Sequence, residues 1–324
     1  VQSPVRALAL IPFLLISSAL VQAEPLKVCA LYPHLKDSYW LSVNQGMAEQ
    51  ATRKGITLKV MEAGGYRNQG VQVSQYRKCQ QWGADVILLG SVSYRLDPAI
   101  RSQLQQTPTL AVVNAVEPDS VIATIGVSWY EMGQNLARYI NDHLASDTPV
   151  TTLLMPGPEG RGGNQFLKQG LLDHLQPNKL AIVATLYGGN SVAVQRQLLT
   201  DYLADHPAPQ LIIGGAVSAE VAINELRSAG LSDTTQIISS YLTHAVYRGL
   251  IRHKVLMANS DQMRLQGRMA IDAAVGIADN QSLPPLSGPK ILSLTRDNGQ
   301  ERIDDSLSDP QFRAVYEVTA EPNR

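Results

Sequence analysis

Apolar and polar positions alternate between two periods along this chain. Short apolar runs of strand length are followed, again and again, by stretches whose apolar residues recur every three to four positions. Leu26–Tyr32 is the first such run. Asp37 or Ser38 is placed to cap the helix that follows, which carries Val43, Met47 and Ala51 on one face as far as Lys54 and ends at Gly55. The same reading gives strand Ile56–Glu62, helix Val71–Trp82, strand Asp85–Leu89, helix Pro98–Gln106, strands Thr109–Asn114 and Val121–Val127, and an amphipathic helix Tyr130–Leu144. A second series then begins. Strand Thr151–Met155, helix Asn164–Leu175, strand Leu180–Leu186, helix Val192–Asp205, strand Gln210–Gly214, helix Ser218–Ala229 and strand Gln236–Ser240 lead to helix His244–His253, strand Val255–Asn259 and helix Gln262–Ile277. Repeated βαβ units predict parallel sheets covered by helices on both faces, and two series predict an α/β protein of two Rossmann-like lobes.

In open α/β sheets ligands sit beyond the carboxyl ends of the strands. Tyr39, Trp40, Tyr66, Ser91, Trp129, Tyr241 and Asp261 all fall just after predicted strands. Most of these are aromatic, with few formal charges among them, and the strand ends look poor in the Asp/Asn/Arg mixture that matches a sugar's hydroxyls. Converging rings of this kind suit a small cationic or methylated solute. Each ring has an alternative in packing or lobe contact, and for Tyr76 and Trp82, within the second helix, packing is the expectation.

Composition removes other classes. The 324 residues are 44% hydrophobic and 17% charged, with formal net charge -1, which is globular and lacks the basic face of a nucleic-acid binder. Arg6, the apolar stretch Ala7–Leu20 and Val21-Gln22-Ala23 read as a signal peptide cut after Ala23. The apolar stretch is about 15 residues, short of the roughly 20 that span a bilayer. In an oxidising compartment Cys29, in the first strand, and Cys79, late in the second helix, are either a disulfide or two separate buried thiols.

Catalytic motifs are weak. Pro156–Gly163 is glycine-rich but lacks the Gly-Lys-Ser/Thr ending of a phosphate loop, and reads as a loop at the lobe edge. Gly126-Val-Ser-Trp-Tyr130 lacks the last glycine of a nucleophile elbow. The six histidines form no metal pair at helical spacing, and surface roles are expected for all of them. No cofactor, metal or catalytic residue is expected.

The order of elements resembles the type I periplasmic binding proteins, the ribose-binding-like group, over nearly the whole chain after residue 23. More narrowly it is similar to that family's trimethylamine N-oxide-sensing members, on Val28–Pro33, Lys36–Leu41, Glu62–Tyr66, Gln80–Ala84, Leu154–Pro158, Tyr247–Leu250 and Ser260–Met263. The resemblance implies a non-enzymatic periplasmic receptor that docks on the sensor domain of a membrane histidine kinase in a two-component system. It implies three crossings between lobes, near Asp147, near Asn259 and within Pro284–Pro289. The lobes would then be 24–147 with 260–287, and 148–259 with 288–324. For such a ligand Tyr39, Trp40, Trp129 and Tyr241 are the expected cage, Tyr66 the donor to the oxide, and Asp261 a group that orients a tyrosine hydroxyl or faces the cationic end. The alternatives are the binding component of a transporter for a sugar or methylated amine, and an exported enzyme working in the cleft.

Overall fold

The computed structural model describes residues 24–144, 147–299 and 303–320; the segment read as a signal peptide lies outside them. In chain order the elements are β1 (Lys27–Tyr32), α1 (Ser38–Lys54), β2 (Thr57–Glu62), α2 (Gln69–Gln81), β3 (Val86–Leu89), α3 (Pro98–Arg101), β4 (Thr109–Val112), β5 (Ala123–Ile125), α4 (Trp129–His143) and β6 (Val150–Gly157). There follow α5 (Asn164–His174), β7 (Leu180–Tyr187), α6 (Val192–Asp205), β8 (Leu211–Gly214), α7 (Ala216–Ser228), β9 (Gln236–Ser239), α8 (His244–Ile251), β10 (Met257–Ser260) and α9 (Met263–Ala278). The chain closes with β11 (Leu286–Ser287), β12 (Leu292–Leu294), α10 (Ile303–Ser306) and β13 (Glu317–Val318).

Two sheets result. The first has the order β11-β5-β4-β3-β1-β2-β13 and the second β12-β10-β9-β8-β6-β7. All pairings are parallel except those of β13 and β12. Central strands are buried along their length, as Val86–Leu89 and Leu211–Gly214 are, because helices cover both faces. On β1 the alternation is explicit. Val28, Ala30 and Tyr32 join the main core, while Cys29 and Leu31 face the opposite layer with Tyr76, Ile87 and Leu89.

Cys29 and Cys79 are joined by a disulfide whose Cα atoms are 5.7 Å apart, tying β1 to α2 across a sequence separation of 50. Replacing both cysteines with alanine is expected to cost about 2–4 kcal/mol, read as a lower urea midpoint, because the unfolded chain regains the freedom of that loop.

The lobe assignment differs from the sequence reading in two places. The first crossing lies at 126–128, not near Asp147. Helix α4 packs against α5, β10 and β12, all of the second lobe. It is tied there by Asn259, whose Nδ2 donates to the Met132 carbonyl (2.9 Å), and by Asn135, whose Nδ2 donates to Ser293 Oγ (2.7 Å). The sequence reading placed 288–324 wholly in the second lobe. Among the described residues β12 goes there, whereas β13 returns to pair antiparallel with β2 of the first. Between them the chain is held on α1 by Asn44, which bonds Val315 in both directions, and by Gln45, which does the same with Asp309.

Each lobe thus borrows a helix from across the hinge, and both borrowed helices dock the same way. A Cβ on Gly46 of α1 would lie 1.9 Å from the Arg264 carbonyl oxygen, and one on Gly267 of α9 2.1 Å from that of Val43. In the other lobe a Cβ on Gly133 of α4 would lie 2.0 Å from the Leu167 oxygen, and one on Gly170 of α5 2.0 Å from that of Tyr130. Only a missing side chain allows backbones this close.

Candidate ligand site

The site forms where strand ends of both sheets face each other. Beyond β1, the Asp37 carboxylate caps α1 by accepting from the Trp40 backbone N–H (3.1 Å), which fixes the first helical turn and the two rings it carries. Tyr39 and Trp40 meet edge to face, with centroids 5.8 Å apart. From the other lobe, Tyr241 beyond β9 meets Tyr39 edge to face at 5.3 Å. Such T-shaped contacts set the positive edge of one ring against the negative face of the next.

Trp129 opens α4, where Ser128 caps the helix. Its indole N–H donates to the Val113 carbonyl of the first lobe (3.1 Å), and its face lies on Gly163. Gly163 has φ +112°, and a Cβ there would stand 2.4 Å from the indole, so the glycine-rich loop after β6 can close on this ring only as glycine. Tyr66, on the loop after β2, completes the set. The cavity these five rings share measures about 30 Å³ for a water-sized centre. That corresponds to a void of roughly 3 Å radius once the water's own size is added, room for a compact molecule of a few heavy atoms.

The hydroxyls have different duties. That of Tyr39 donates to Asp261 Oδ2 at 2.5 Å, and the same oxygen accepts from Gln266 Nε2 at 2.7 Å. Asp261 lies at the second crossing, behind Tyr39 and outside the cavity wall, and it holds that ring in place. Burial pushes its pKa upward, against the two hydrogen bonds that favour the carboxylate. Burial also drives the pKa of Tyr39 well above the phenol range, aided by the Asp261 charge. Tyr66 is oriented the opposite way. Its oxygen accepts from Trp40 Nε1 (3.4 Å) and Asn114 Nδ2 (3.2 Å), leaving the phenolic hydrogen to donate elsewhere. Burial raises its pKa to about 12, so it stays protonated at neutral pH. Tyr241, likewise buried, is held neutral by desolvation.

The expectation that these strand ends lack amides and charges fails. Asp37, Asn114, Asn164, Asn190 and Arg161 share the cavity wall with the rings. Arg161 and Asn164 come from the glycine-rich loop and the start of α5, where Gly160, Gly162 and Gly163 take positive φ and turn the chain inward. Arg161 Nη1 also crosses to the Val92 carbonyl of the first lobe (3.2 Å). The surface role expected for every histidine fails for His34. It is buried, lines the cavity and sets its ring edge to face against Tyr66 at 5.6 Å. The signal was its place one residue after Tyr32-Pro33 at the end of β1. Ser91 lies outside the wall, and its carbonyl holds Asn114. Tyr76 and Trp82 serve packing, Tyr76 fully buried with its hydroxyl on Thr109 and Trp82 beneath the Lys59 ammonium. Among the described residues no group of three or more His, Cys, Asp and Glu side chains could hold a metal ion, and no helix is long and apolar enough to cross a membrane.

Two mostly parallel sheets, joined by crossing segments that enclose a site at their strand ends, define a type I periplasmic binding protein. Residues 25–287 match the family model described as periplasmic binding proteins and sugar binding domain of the LacI family, and the chain belongs to this family. Periplasmic protein TorT of Escherichia coli (strain K12) is 42% identical over 291 residues, covering 90% of this chain and 84% of TorT. The crystal structure of the TorS sensor domain–TorT complex in the absence of ligand is similar at 36% identity, with TM-score 0.81 over 90% of this chain and 100% of that one. The same complex in the presence of TMAO gives 36% and 0.80, over 90% and 99%. An ABC transporter solute binding protein from Bradyrhizobium sp. BTAi1 with bound bis-tris is 30% identical, with TM-score 0.77 over 91% and 90%.

Proposed function

We propose that this chain is a periplasmic receptor for trimethylamine N-oxide that signals through the sensor domain of a TorS-like membrane histidine kinase, as a binding protein and not an enzyme. The observation that carries the reading is the cage: five rings from both lobes around a space of few-atom size, one of them with a phenolic hydrogen left over. Trimethylamine N-oxide has three methyls on a positive nitrogen and one strongly accepting oxygen. Ring faces attract the methyl-borne charge, at about 0.5–2 kcal/mol each. Tyr66 donates to the oxide, while Asp261, behind Tyr39, adds negative charge on the far side of a cage ring. Similarity to TorT, whose structures are with the TorS sensor domain and with TMAO, supports both ligand and partner.

The ligand touches side chains of both lobes and so favours their closed arrangement. It shifts the receptor only by the difference in its affinity for the two arrangements, and the kinase senses that shift through whichever surfaces move apart or together.

One observation favours a second reading, a transport receptor for a more polar solute. The wall holds three asparagines and an arginine, and a transporter solute binding protein is 30% identical. Titration calorimetry separates the two. Trimethylamine N-oxide is expected to give heat and ribose none; heat from ribose alone refutes the cage. In the same assay Tyr66→Phe, which removes only a hydroxyl, is expected to weaken trimethylamine N-oxide binding by about tenfold, the worth of one good hydrogen bond in a dry site.

A further inference from the structure

Among the described residues, five buried side-chain atoms have no hydrogen-bond partner. Four are oxygens, of Gln75, Asp261, Gln262 and Gln266, and none of those residues lines the cavity. The fifth is Nδ1 of His34, and His34 does line it. A buried ring nitrogen without a partner is costly unless something else pairs with it. The ring is held by packing: its edge lies on Tyr66 and its side chain is almost wholly out of solvent, while its other nitrogen, 3.9 Å from Asp37 Oδ2, is beyond hydrogen-bond reach of that carboxylate. The loop Pro33–Lys36 that carries it is pinned in turn to the loop after β2. The Leu35 N–H donates to Glu62, and Lys36 Nζ to the Gly64 carbonyl.

We propose that His34 is a specificity-determining residue of this site, its Nδ1–H donating to the ligand's oxide oxygen beside the Tyr66 hydroxyl. The inference rests on the reading of the ligand as trimethylamine N-oxide. One phenol supplies a single hydrogen to an oxygen that accepts more than one. A ring already packed on that phenol brings a second donor to the same place with little loss of freedom. Two converging donors reject what the ring faces alone accept. A quaternary ammonium without an oxide leaves both donors unpaired in a dry cavity, and sites built to hydrogen-bond a group discriminate strongly against analogues lacking it.

The test pairs calorimetry with nitrogen NMR of the histidine rings in the whole chain. In the wild type, adding trimethylamine N-oxide is expected to shift the His34 Nδ1 resonance, assigned by its loss in His34→Phe; tetramethylammonium is expected to leave it in place. His34→Phe keeps a ring against Tyr66 and removes the donor. It is expected to lose roughly tenfold or more in trimethylamine N-oxide affinity, with tetramethylammonium affinity changed by less than about threefold. His34→Gln, which keeps a donor, is expected to retain most of the binding. An unmoved His34 resonance while the oxide binds overturns the proposal, as does a His34→Phe chain that binds both ligands like wild type or loses both equally. A wild-type chain that gives no heat with trimethylamine N-oxide overturns the ligand reading itself, and this inference with it.

Discussion

Valine at Gly133 is expected to destabilise the protein by about 4 kcal/mol or more, above the usual range of about 1–3 kcal/mol for overpacking. The reason is that the clash is with backbone. A Cβ at this position would lie 2.0 Å from the Leu167 oxygen and 2.6 Å from the Leu171 nitrogen, and neither can rotate away as a side chain would. The helices α4 and α5 must separate, and the separation uncovers Met132, Leu136, Leu167 and Leu171, all now buried. Gly267→Val should do the same between α1 and α9. Urea denaturation followed by tryptophan fluorescence measures both. Gly189→Ala is the control: nothing lies within 4 Å of its Cβ position, and a change within about 0.5 kcal/mol is expected. A Gly133→Val chain as stable as wild type would show that the helix pair has room to spare.

Trp129→Ala should weaken trimethylamine N-oxide binding by about 30-fold or more, on the order of 2 kcal/mol for a desolvated aromatic anchor. The indole touches three parts of the machine. It belongs to α4 of the second lobe, donates to Val113 of the first, and is covered by the glycine-rich loop. Its loss removes a ring face from the ligand and leaves a hole that admits water to the cage. Calorimetry gives the affinity and a thermal scan the stability. A lowered melting temperature with unchanged affinity would mean that the ring only packs, and the cage would then have to be redrawn without it.

Most of the elements, and the meeting of five rings at one cavity, were legible in the sequence, because both follow from local signals: apolar period for strands and helices, and position after a strand for the rings. What escaped was non-local. Periodicity identifies α4 as an amphipathic helix but carries no mark of which sheet it will cover, so the first crossing was placed after it instead of before. The last segment misled for the same reason. A two-residue strand such as β13 has no pattern to read, and its place is decided by Asn44 and Gln45, some 270 positions upstream (sequence separations 271 and 264). His34 and Arg161 were passed over on residue type: a lone histidine and an arginine in a glycine-rich loop both default to the surface. His34 is buried and Arg161 half-buried, at a cavity lined by loops of both lobes.

The crossed helices and the returning tail bear on how such a chain acquires its shape. The first lobe is complete only when α9 has docked on α1 and β13 has closed the edge of β2, and these are supplied by residues 263–278 and 317–318. The second needs α4 from before its own first strand and β12 from near the other end of the chain. Neither half is therefore a finished folding unit while the polypeptide is still being made. The N-terminal portion can gather the small cluster of Cys29, Leu31, Tyr76, Ile87 and Leu89 on one face of its sheet, but the larger core on the other face lacks α9 until residues 263–278 have been made. For a chain that crosses its membrane unfolded, this wiring leaves the larger core to be closed by segments that come last.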